Sequence, residues 1–331
     1  MSVLVTGGAG YIGGHMVLAL LDAGETVIVV DDLSTGFAWA VPKEVTFYQG
    51  DFGDVALLDR IFKAHPIDAI AHFAARIVVP ESVSDPLGYY LNNTSKARNL
   101  IAAAIEHGVS RFIFSSTAAV YGEPRVAAVA ETEATMPVSP YGRSKLMVEW
   151  MLEDASKAHD FAYVALRYFN VAGADPKGRH GQSAVNATHL IKRAVQTALG
   201  RYPQMEVFGT DYPTPDGTCI RDYIQITDLI SAHMQALAYL RDGQPSLVCN
   251  CGYGHGASVL EVVAAVKKVT GVDFRVQLSP RRAGDPARLI AIADRAREVL
   301  HWQPTHDNLE EIVREALNWE RRLHNLQGGS I

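Results

Sequence analysis

Short apolar runs alternate with stretches of helical periodicity over the first 170 residues. The runs are rich in β-branched and aromatic residues, are too short for helices, and lie at 3–5, 26–30, 45–48, 67–73, 111–114 and 163–166. Helix-length stretches separate them, at 11–22, 55–64, 87–106 and 140–157. Strands that are apolar on both faces and spaced by helices indicate a parallel sheet covered on both sides. We therefore predict an α/β fold with a doubly wound parallel sheet over residues 1–170.

The pattern changes after Asn170. A loop rich in Gly, Pro and charged residues precedes predicted helices at 183–199, 227–240, 258–270 and 307–323 and a strand at 247–251. Thr227 and Ser258 are the predicted N-caps of two of these helices, Ser258 with Glu261 in a capping box. Prolines predict a loop at 201–221, and 327–331 is predicted to be frayed. We expect a smaller C-terminal α/β domain over 171–331. Residues 222–252 of this range are expected to pack as part of the first domain.

The composition is that of a globular chain: 48% of its 331 residues are hydrophobic and 20% are charged. The 30 Lys and Arg against 36 Asp and Glu give a net charge of −6, so we expect neither nucleic acid nor a membrane as a partner. No apolar run approaches the ~18 residues of a membrane span, and the N-terminus lacks the basic segment of a signal peptide. Cys219, Cys249 and Cys251 form neither a disulfide framework nor a zinc motif, so we expect buried thiols, no metal and a cytoplasmic location.

A glycine-rich turn follows the first predicted strand and opens the first helix. Gly7 allows a sharp turn, Gly10 allows the backbone to approach a pyrophosphate, and Gly13 allows the helix to pack on the sheet. The unpaired N–H groups at the helix N-terminus then face the phosphates. We predict a Rossmann domain that binds a dinucleotide.

Two carboxylates follow at the ends of the next strands. Asp31 lies about 20 residues after the glycines, where a carboxylate binds the ribose hydroxyls and repels a 2′-phosphate, so NAD is favoured over NADP. Asp51 either faces the adenine edge of the cofactor or is an ordinary loop carboxylate that faces solvent.

Tyr141 and Lys145 lie four residues apart and therefore on one helix face. An ammonium group near a phenol favours the phenolate, which makes the tyrosine a general base for an alcohol and a general acid for a ketone. The lysine can also hold the nicotinamide ribose. Thr117, after the strand at 111–114, is the predicted hydroxyl that binds the substrate oxygen. Ser115 is expected to form only a local turn with its own backbone.

Taken together, these motifs resemble the extended, nucleotide-sugar-modifying branch of the short-chain dehydrogenase/reductase superfamily, and within it the UDP-glucose 4-epimerases. The resemblance covers nearly the whole chain and is carried by 7–13, 72–75, 81–83, 89–90, 115–122, 141–145, 167–170, 208–218, 221–223 and 281–285. It implies NAD contacts from Tyr11, Ile12, Asp31, Asp51, Phe73, Ala74, Asn92, Tyr141, Lys145 and Phe169. It implies UDP-sugar contacts from Thr117, Asn170, Leu190, Val207, Phe208, Arg221, Arg282 and Asp285. It also implies a homodimer through helices at 87–106 and 146–157.

Three positions bear on how far the resemblance extends. Ile77 stands where the family often has a lysine that reaches the cofactor, with Arg76 as the adjacent cation. His189 replaces an asparagine common near the uracil. Leu289 occupies the position that gates the sugar end of the pocket.

The reaction that the resemblance implies is a reversible 4-epimerisation of a UDP-hexose through a 4-keto sugar, with NAD reduced transiently. A UDP-pentose (xylose/arabinose) 4-epimerase is the first alternative. A 4,6-dehydratase is less favoured because Ala118 and Ala119 stand where those enzymes have acidic residues. A non-catalytic NAD-binding regulator is the last alternative, and the Tyr141/Lys145 pair argues against it.

Overall fold

The computed structural model describes residues 1–185, 188–282 and 285–326. The strands are β1 Ser2–Thr6, β2 Thr26–Asp31, β3 Thr46–Gln49, β4 Ile67–His72, β5 Arg111–Thr117, β6 Ala162–Tyr168, β7 Asn170–Ala172, β8 Met205–Phe208, β9 Ile220–Arg221, β10 Tyr223–Gln225, β11 Leu247–Cys251, β12 Ala257–Ser258, β13 Val276–Ser279 and β14 Arg288–Leu289. The helices are α1 Tyr11–Asp22, α2 Val55–Ala64, α3 Val79–Ser84, α4 Pro86–Tyr89, α5 Lys96–Glu106, α6 Pro140–Ala158, α7 Leu190–Ala198, α8 Ile226–Arg241, α9 Val259–Thr270, α10 Asp294–Val299 and α11 Leu309–Leu326.

The central sheet has seven parallel strands in the order β11-β6-β5-β4-β1-β2-β3. The strand order reverses direction at β1, so the carboxyl ends of β1 and β4 border the crevice in which doubly wound folds bind ligands. The predicted doubly wound fold is confirmed. β11, although it lies late in the chain, pairs with β6.

Alternating side chains of the strands form two cores, one on each face of the sheet. Val3 and Val5 pack on the face covered by α1 and α8, whereas Leu4 packs on the face covered by α2, α5 and α6. The first core continues into the C-terminal part of the chain, where α7, α9 and α11 pack together. The two parts therefore share one continuous apolar core.

Several C-terminal predictions are wrong. The helix predicted at 183–199 begins only at Leu190, and 201–221 contains β8 and β9. α8 is capped by Gln225, whose side-chain oxygen accepts from the amides of residues 227 and 228, so Thr227 is not the N-cap. The predicted capping box at Ser258 is confirmed. Residues 327–331 lie outside the described residues.

The predicted helix at 87–106 is divided into α4, a π-helical segment at Tyr90–Ser95, and α5. Such segments commonly mark functional positions, and this one carries Asn92. All three cysteines are buried and unbonded, as predicted. Within the described ranges, no helix is long and apolar enough to cross a membrane.

A buried ion pair fastens α6 to the sheet. Glu149 and Arg167 are 4% and 6% exposed and form several side-chain hydrogen bonds, including one of 3.0 Å between Arg167 Nε and Glu149 Oε1. Ser116 donates to the same carboxylate at 2.5 Å. The pair thus joins α6, the helix that carries Tyr141, to β6, and Ser116 joins the same carboxylate to β5, the strand that carries Thr117.

We predict that Arg167→Met destabilises the protein by about 3–5 kcal/mol, because it leaves the Glu149 carboxylate buried without a cation. The urea midpoint of unfolding is the measurement. Lys63→Met, which breaks the exposed pair with Asp59, is the control and is expected to shift the midpoint far less. Equal shifts in the two variants would contradict the role given to the buried pair.

Candidate active site

Backbone contacts leave no room for side chains in the glycine-rich turn after β1. Gly7 has a φ of +74°, and a Cβ there would lie 2.6 Å from the amide nitrogen of Ala74. A Cβ on Gly13 would lie 2.2 Å from the Gly7 carbonyl oxygen. α1 therefore starts directly against the turn, and its first N–H groups, which have no acceptor within the helix, remain available to an anion. The turn fits a dinucleotide pyrophosphate.

Asp31, predicted to select NAD, ends β2 beside this turn. Its carboxylate accepts hydrogen bonds from the amides of Ala9, at 3.0 Å, and Leu33, at 2.8 Å. Burial raises the pKa of Asp31, and these two donors offset part of the rise. The carboxylate is therefore fixed against the turn, in the place expected for an acceptor of ribose hydroxyls.

Lys96 joins the two other polar residues expected at this end of the cofactor. Its ammonium group lies 2.7 Å from the Asp51 carboxylate and 3.1 Å from the amide oxygen of Asn92. Asp51 also accepts from the Gly53 amide at 2.8 Å. The expected cofactor contacts Asp51 and Asn92 are thus adjacent, and Lys96 is a cation that sequence reasoning missed.

Tyr141 and Thr117 come together where α6 meets the end of β5. Ser139 caps α6 by accepting from the Gly142 amide at 3.2 Å. A Cβ on Gly142 would lie 2.6 Å from the Ala119 carbonyl oxygen, so this glycine lets the helix approach the segment after Thr117. Burial raises the pKa of the Tyr141 phenol, and a hydrogen bond with the Thr117 hydroxyl lowers it in part.

Lys145 lies one turn further along α6 and is 3% exposed. Its ammonium group donates to the Ser115 carbonyl at 2.9 Å and lies 5.0 Å from the centre of the Phe114 ring. Burial lowers the pKa of Lys145 to about 7. Burial and the Lys145 charge together lower the pKa of His72, at the end of β4, to about 3, so His72 is neutral.

The prediction for Ser115 is wrong. Its hydroxyl bonds the phenol of Tyr168, on the neighbouring strand, and not its own backbone. Thr117 instead forms the local turn, since its hydroxyl accepts from the Ala119 amide at 3.1 Å. Thr117 Oγ therefore has a fixed position beside Tyr141.

A cavity of about 640 Å³ opens between the sheet and the C-terminal elements, a size typical of small-molecule sites. It is lined by six of the eight residues expected to bind the UDP-sugar: Asn170, Leu190, Phe208, Arg221, Arg282 and Asp285. Thr117 does not line this cavity and lies beside Tyr141. The Val207 side chain is fully buried in the core, and Val207 does not line the cavity.

Two of the arginines that line the cavity, Arg221 and Arg282, are held by neighbouring groups. The Arg221 guanidinium donates to the Pro286 carbonyl at 2.7 Å and lies 3.5 Å from Asp285. The Arg282 guanidinium lies 3.8 Å from the centre of the Phe208 ring. Asp222, the next residue along the chain, is buried and accepts hydrogen bonds from three backbone amides. Fixed cations of this kind suit a diphosphate.

Comparison with known proteins places this site in a family. A sequence profile described as "NAD dependent epimerase/dehydratase family" matches residues 3–252. The chain belongs to this family. It is 55% identical over 326 residues to UDP-glucose 4-epimerase from Azospirillum brasilense, which covers 98% of this chain and 94% of that protein.

Two further proteins are similar to this chain over nearly its whole length. The structure of UDP-glucose-4-epimerase from Stenotrophomonas maltophila, with bound NAD and formylated UDP-arabinopyranose, superposes with a TM-score of 0.95 at 40% identity, covering 98% of this chain and 99% of that one. UDP-arabinose 4-epimerase 1 from Arabidopsis thaliana is 41% identical, covering 98% of this chain and 81% of that protein. The resemblance inferred from the motifs is confirmed.

The departures from the family pattern have structural consequences. Arg76 does not replace the missing lysine at Ile77, because its guanidinium is bound to Glu81 at 2.6 Å and to Asp85 at 2.8 Å. His189 lines the cavity and precedes α7. Leu289 packs against the apolar cluster that follows Thr117.

Apart from Leu190, sequence reasoning missed the part of the cavity wall formed by α7 and α11. There Lys192 and Glu320 form a buried ion pair, and Arg201 lies 2.6 Å from the same carboxylate. Trp319, also on the wall, packs against Gly181. The partners are more than 100 residues apart, so no local spacing indicates them.

We predict that Gly7→Ala abolishes NAD retention, because the added Cβ meets Ala74 and the positive φ is strained. Gly108→Ala is the matched control: Gly108 has a φ of +72°, but its Cβ would meet nothing within 4 Å. That variant is expected to lose about 1 kcal/mol of stability and to retain NAD. The measurement is the NAD content of each purified protein, and equal loss in both would show that strain alone explains the effect.

Proposed function

We propose that this protein interconverts UDP-glucose and UDP-galactose by reversible 4-epimerisation, using an NAD that stays bound. The observation that carries the proposal is the meeting of Tyr141 and Thr117 at the end of β5, on the same edge of the parallel sheet as the glycine-rich dinucleotide turn. The cavity of about 640 Å³ is lined by other residues, among them Arg221 and Arg282. We propose that Tyr141 and Thr117 act on a sugar hydroxyl and that the two arginines hold a diphosphate.

When bound, NAD supplies the acceptor and donor of the hydride at C4, and a positively charged ring in its oxidised form. Tyr141 accepts the proton of the sugar 4-hydroxyl and returns it to the 4-keto sugar. The Thr117 hydroxyl holds that oxygen during both transfers. Lys145 adds positive charge in its protonated form and offers N–H donors to ribose hydroxyls.

Inversion at C4 requires the keto sugar to turn over while it stays in the site. Arg221 and Arg282 provide that anchor by holding the diphosphate, while the sugar end has only Thr117 and Tyr141 as proposed polar contacts. Leu289, at the sugar end, is intermediate in size between the smallest side chains and a bulky aromatic one. Binding concentrated on the nucleotide thus leaves the sugar free to present either face.

A UDP-pentose substrate is the second candidate, because this chain is similar to UDP-arabinose 4-epimerase 1 from Arabidopsis thaliana. The same groups would serve it, since the pentose keeps the 4-hydroxyl and lacks only the C6 carbon. Dehydration is disfavoured because Ala118 and Ala119, directly after Thr117, cannot transfer protons.

The direct test is incubation of the purified protein with UDP-galactose and no added NAD, followed by separation of the nucleotide sugars. We expect UDP-glucose to form. UDP-xylose and UDP-arabinose are tested in parallel, and faster turnover of these would favour the pentose enzyme. Release of a dehydrated keto sugar, or no turnover in a protein that holds NAD, would contradict the proposal.

We predict that Tyr141→Phe lowers kcat by about 10²–10⁴-fold, because it removes the proton-transfer group. Tyr239→Phe, in the last turn of α8 and away from the cavity, is the control and is expected to keep its activity. Both variants should retain NAD. Activity of Tyr141→Phe within a few-fold of the parent would remove this tyrosine from the mechanism.

The apolar surface of the first domain supports a homodimer. Leu87, in α4, and Leu91, in the π-helical segment that follows it, are 78% and 60% exposed. Trp150, on the adjacent α6, is 53% exposed. Contiguous exposed apolar side chains of this size mark association sites. We propose that two copies pair through these helices in the cytoplasm.

We predict that Leu91→Asp combined with Trp150→Glu converts the dimer to a monomer, because it places charges in the paired apolar face. Sedimentation velocity gives the mass. Leu278→Asp, which changes an equally exposed leucine on β13, should stay dimeric. A parent that sediments as one chain, or a double variant that stays dimeric, would refute this interface.

A further inference from the structure

Two buried histidines lie behind the glycine-rich turn. His15 is on α1, and His180 is in the loop between β7 and α7. They are 5% and 2% exposed, and their ring centres are 4.7 Å apart. His15 Nδ1 lies 2.7 Å from the carbonyl oxygen of Tyr11, in its own helix, whereas His180 Nε2 lies 3.0 Å from the carbonyl oxygen of Gly10.

The contact with Gly10 determines the state of His180. A carbonyl oxygen only accepts, so Nε2 must carry the hydrogen. Burial lowers the pKa of His180, which keeps the ring neutral and leaves Nδ1 without a hydrogen. Nδ1 is buried and has no hydrogen-bond partner among the residues described. The ring thus makes one directed hydrogen bond, and that bond goes to the turn.

Gly10 is the N-cap of α1, and its carbonyl belongs to the same peptide group as the Tyr11 amide. The carbonyl also accepts from the Gly14 amide at 2.9 Å. The Tyr11 N–H is one of the first-turn donors that have no acceptor within the helix. Donors on a carbonyl polarise the peptide and strengthen its N–H as a donor, so the ring acts on a group that faces the proposed pyrophosphate.

The surrounding sequence makes room for the ring and holds it there. A Cβ on Gly14 would lie 2.4 Å from His180 Nε2, so only glycine at this position allows the contact. The loop that carries His180 is fastened to α1, since Tyr11 donates to the Gly173 carbonyl at 2.8 Å and Arg179 pairs with Asp22 at 2.8 Å.

We propose that His180 is a positioning residue for the cofactor: its hydrogen bond orients and polarises the Gly10–Tyr11 peptide, whose N–H then binds the dinucleotide pyrophosphate. The inference rests on the proposed function, in that NAD is the cofactor. It adds a contribution from the C-terminal part of the chain, because the next residue, Gly181, packs on Trp319 in the wall of the substrate cavity. The cofactor turn and the substrate cavity thus share one loop.

The test compares His180→Leu, which removes the donor, with His180→Gln, which keeps an N–H donor, in the full chain stripped of nucleotide. Calorimetry gives the dissociation constants of ADP-ribose, which contains the pyrophosphate, and of adenosine, which does not. We expect His180→Leu to raise the dissociation constant of ADP-ribose about three- to tenfold, the value of one hydrogen bond. The dissociation constant of adenosine should not change. His180→Gln should stay within about twofold of the parent.

Gly14→Ala tests the same hydrogen bond in a second way, because its Cβ displaces the His180 ring while the histidine is kept. It should raise the dissociation constant of ADP-ribose by a similar factor. His159→Leu, at the exposed end of α6, is the control. Unchanged ADP-ribose binding in His180→Leu and Gly14→Ala, equal weakening by Leu and Gln, or equal weakening of adenosine would overturn the inference. A parent that binds no ADP-ribose would instead overturn the proposed function, on which the inference rests.

Discussion

One buried ammonium group, that of Lys145, governs the electrostatics at the reacting end of the site. It has lost nearly all contact with water, and in the described structure its protein partner is a neutral carbonyl, not a carboxylate. The charged form is therefore costly, which is why the pKa falls to about 7. A ligand that brings hydroxyl oxygens to this group replaces part of the lost hydration. Burial, together with the same charge, lowers the pKa of His72 and keeps that ring neutral.

The phenol of Tyr141 shows how this environment differs from a solvated helix face. Spacing alone predicts that Lys145 lowers its pKa, but burial dominates and raises the pKa, with Thr117 as the group that opposes the rise. The protonated phenol is thus the resting form of the protein without ligands. Proton abstraction is favoured only when further positive charge enters the site, so the proposed chemistry depends on an assembled complex.

The fold of the first 170 residues was predictable because its sequence signals are local. The bounds of α1 and α2 match the periodicity to the residue, and each strand ends within a few residues of its prediction. Site residues at the ends of strands, such as Asp31 and Thr117, were predictable for the same reason. The prediction that the cavity arginines bind the substrate depended on the family resemblance, because their spacing in the sequence is also typical of surface ion pairs.

The remaining features arise from contacts between distant segments. α7 begins late because 181–183 pack beneath Trp319 and the Gln182 carbonyl accepts from Lys192 at 2.6 Å. The pairing of Arg167 with Glu149 and of His180 with Gly10 likewise depends on tertiary packing. None of these partners stands at a helical or strand spacing from the other, so periodicity carries no signal for them.

The central claim is that hydrogen leaves C4 of the sugar as hydride and returns to the same carbon within one closed site. The most direct measurement uses UDP-galactose labelled with deuterium at C4, without added cofactor, and follows the label in the UDP-glucose formed by mass spectrometry and NMR. The account predicts that the deuterium is retained at C4 of the product. Exchange of the label for solvent hydrogen would contradict it, because inversion would then proceed by proton abstraction from carbon.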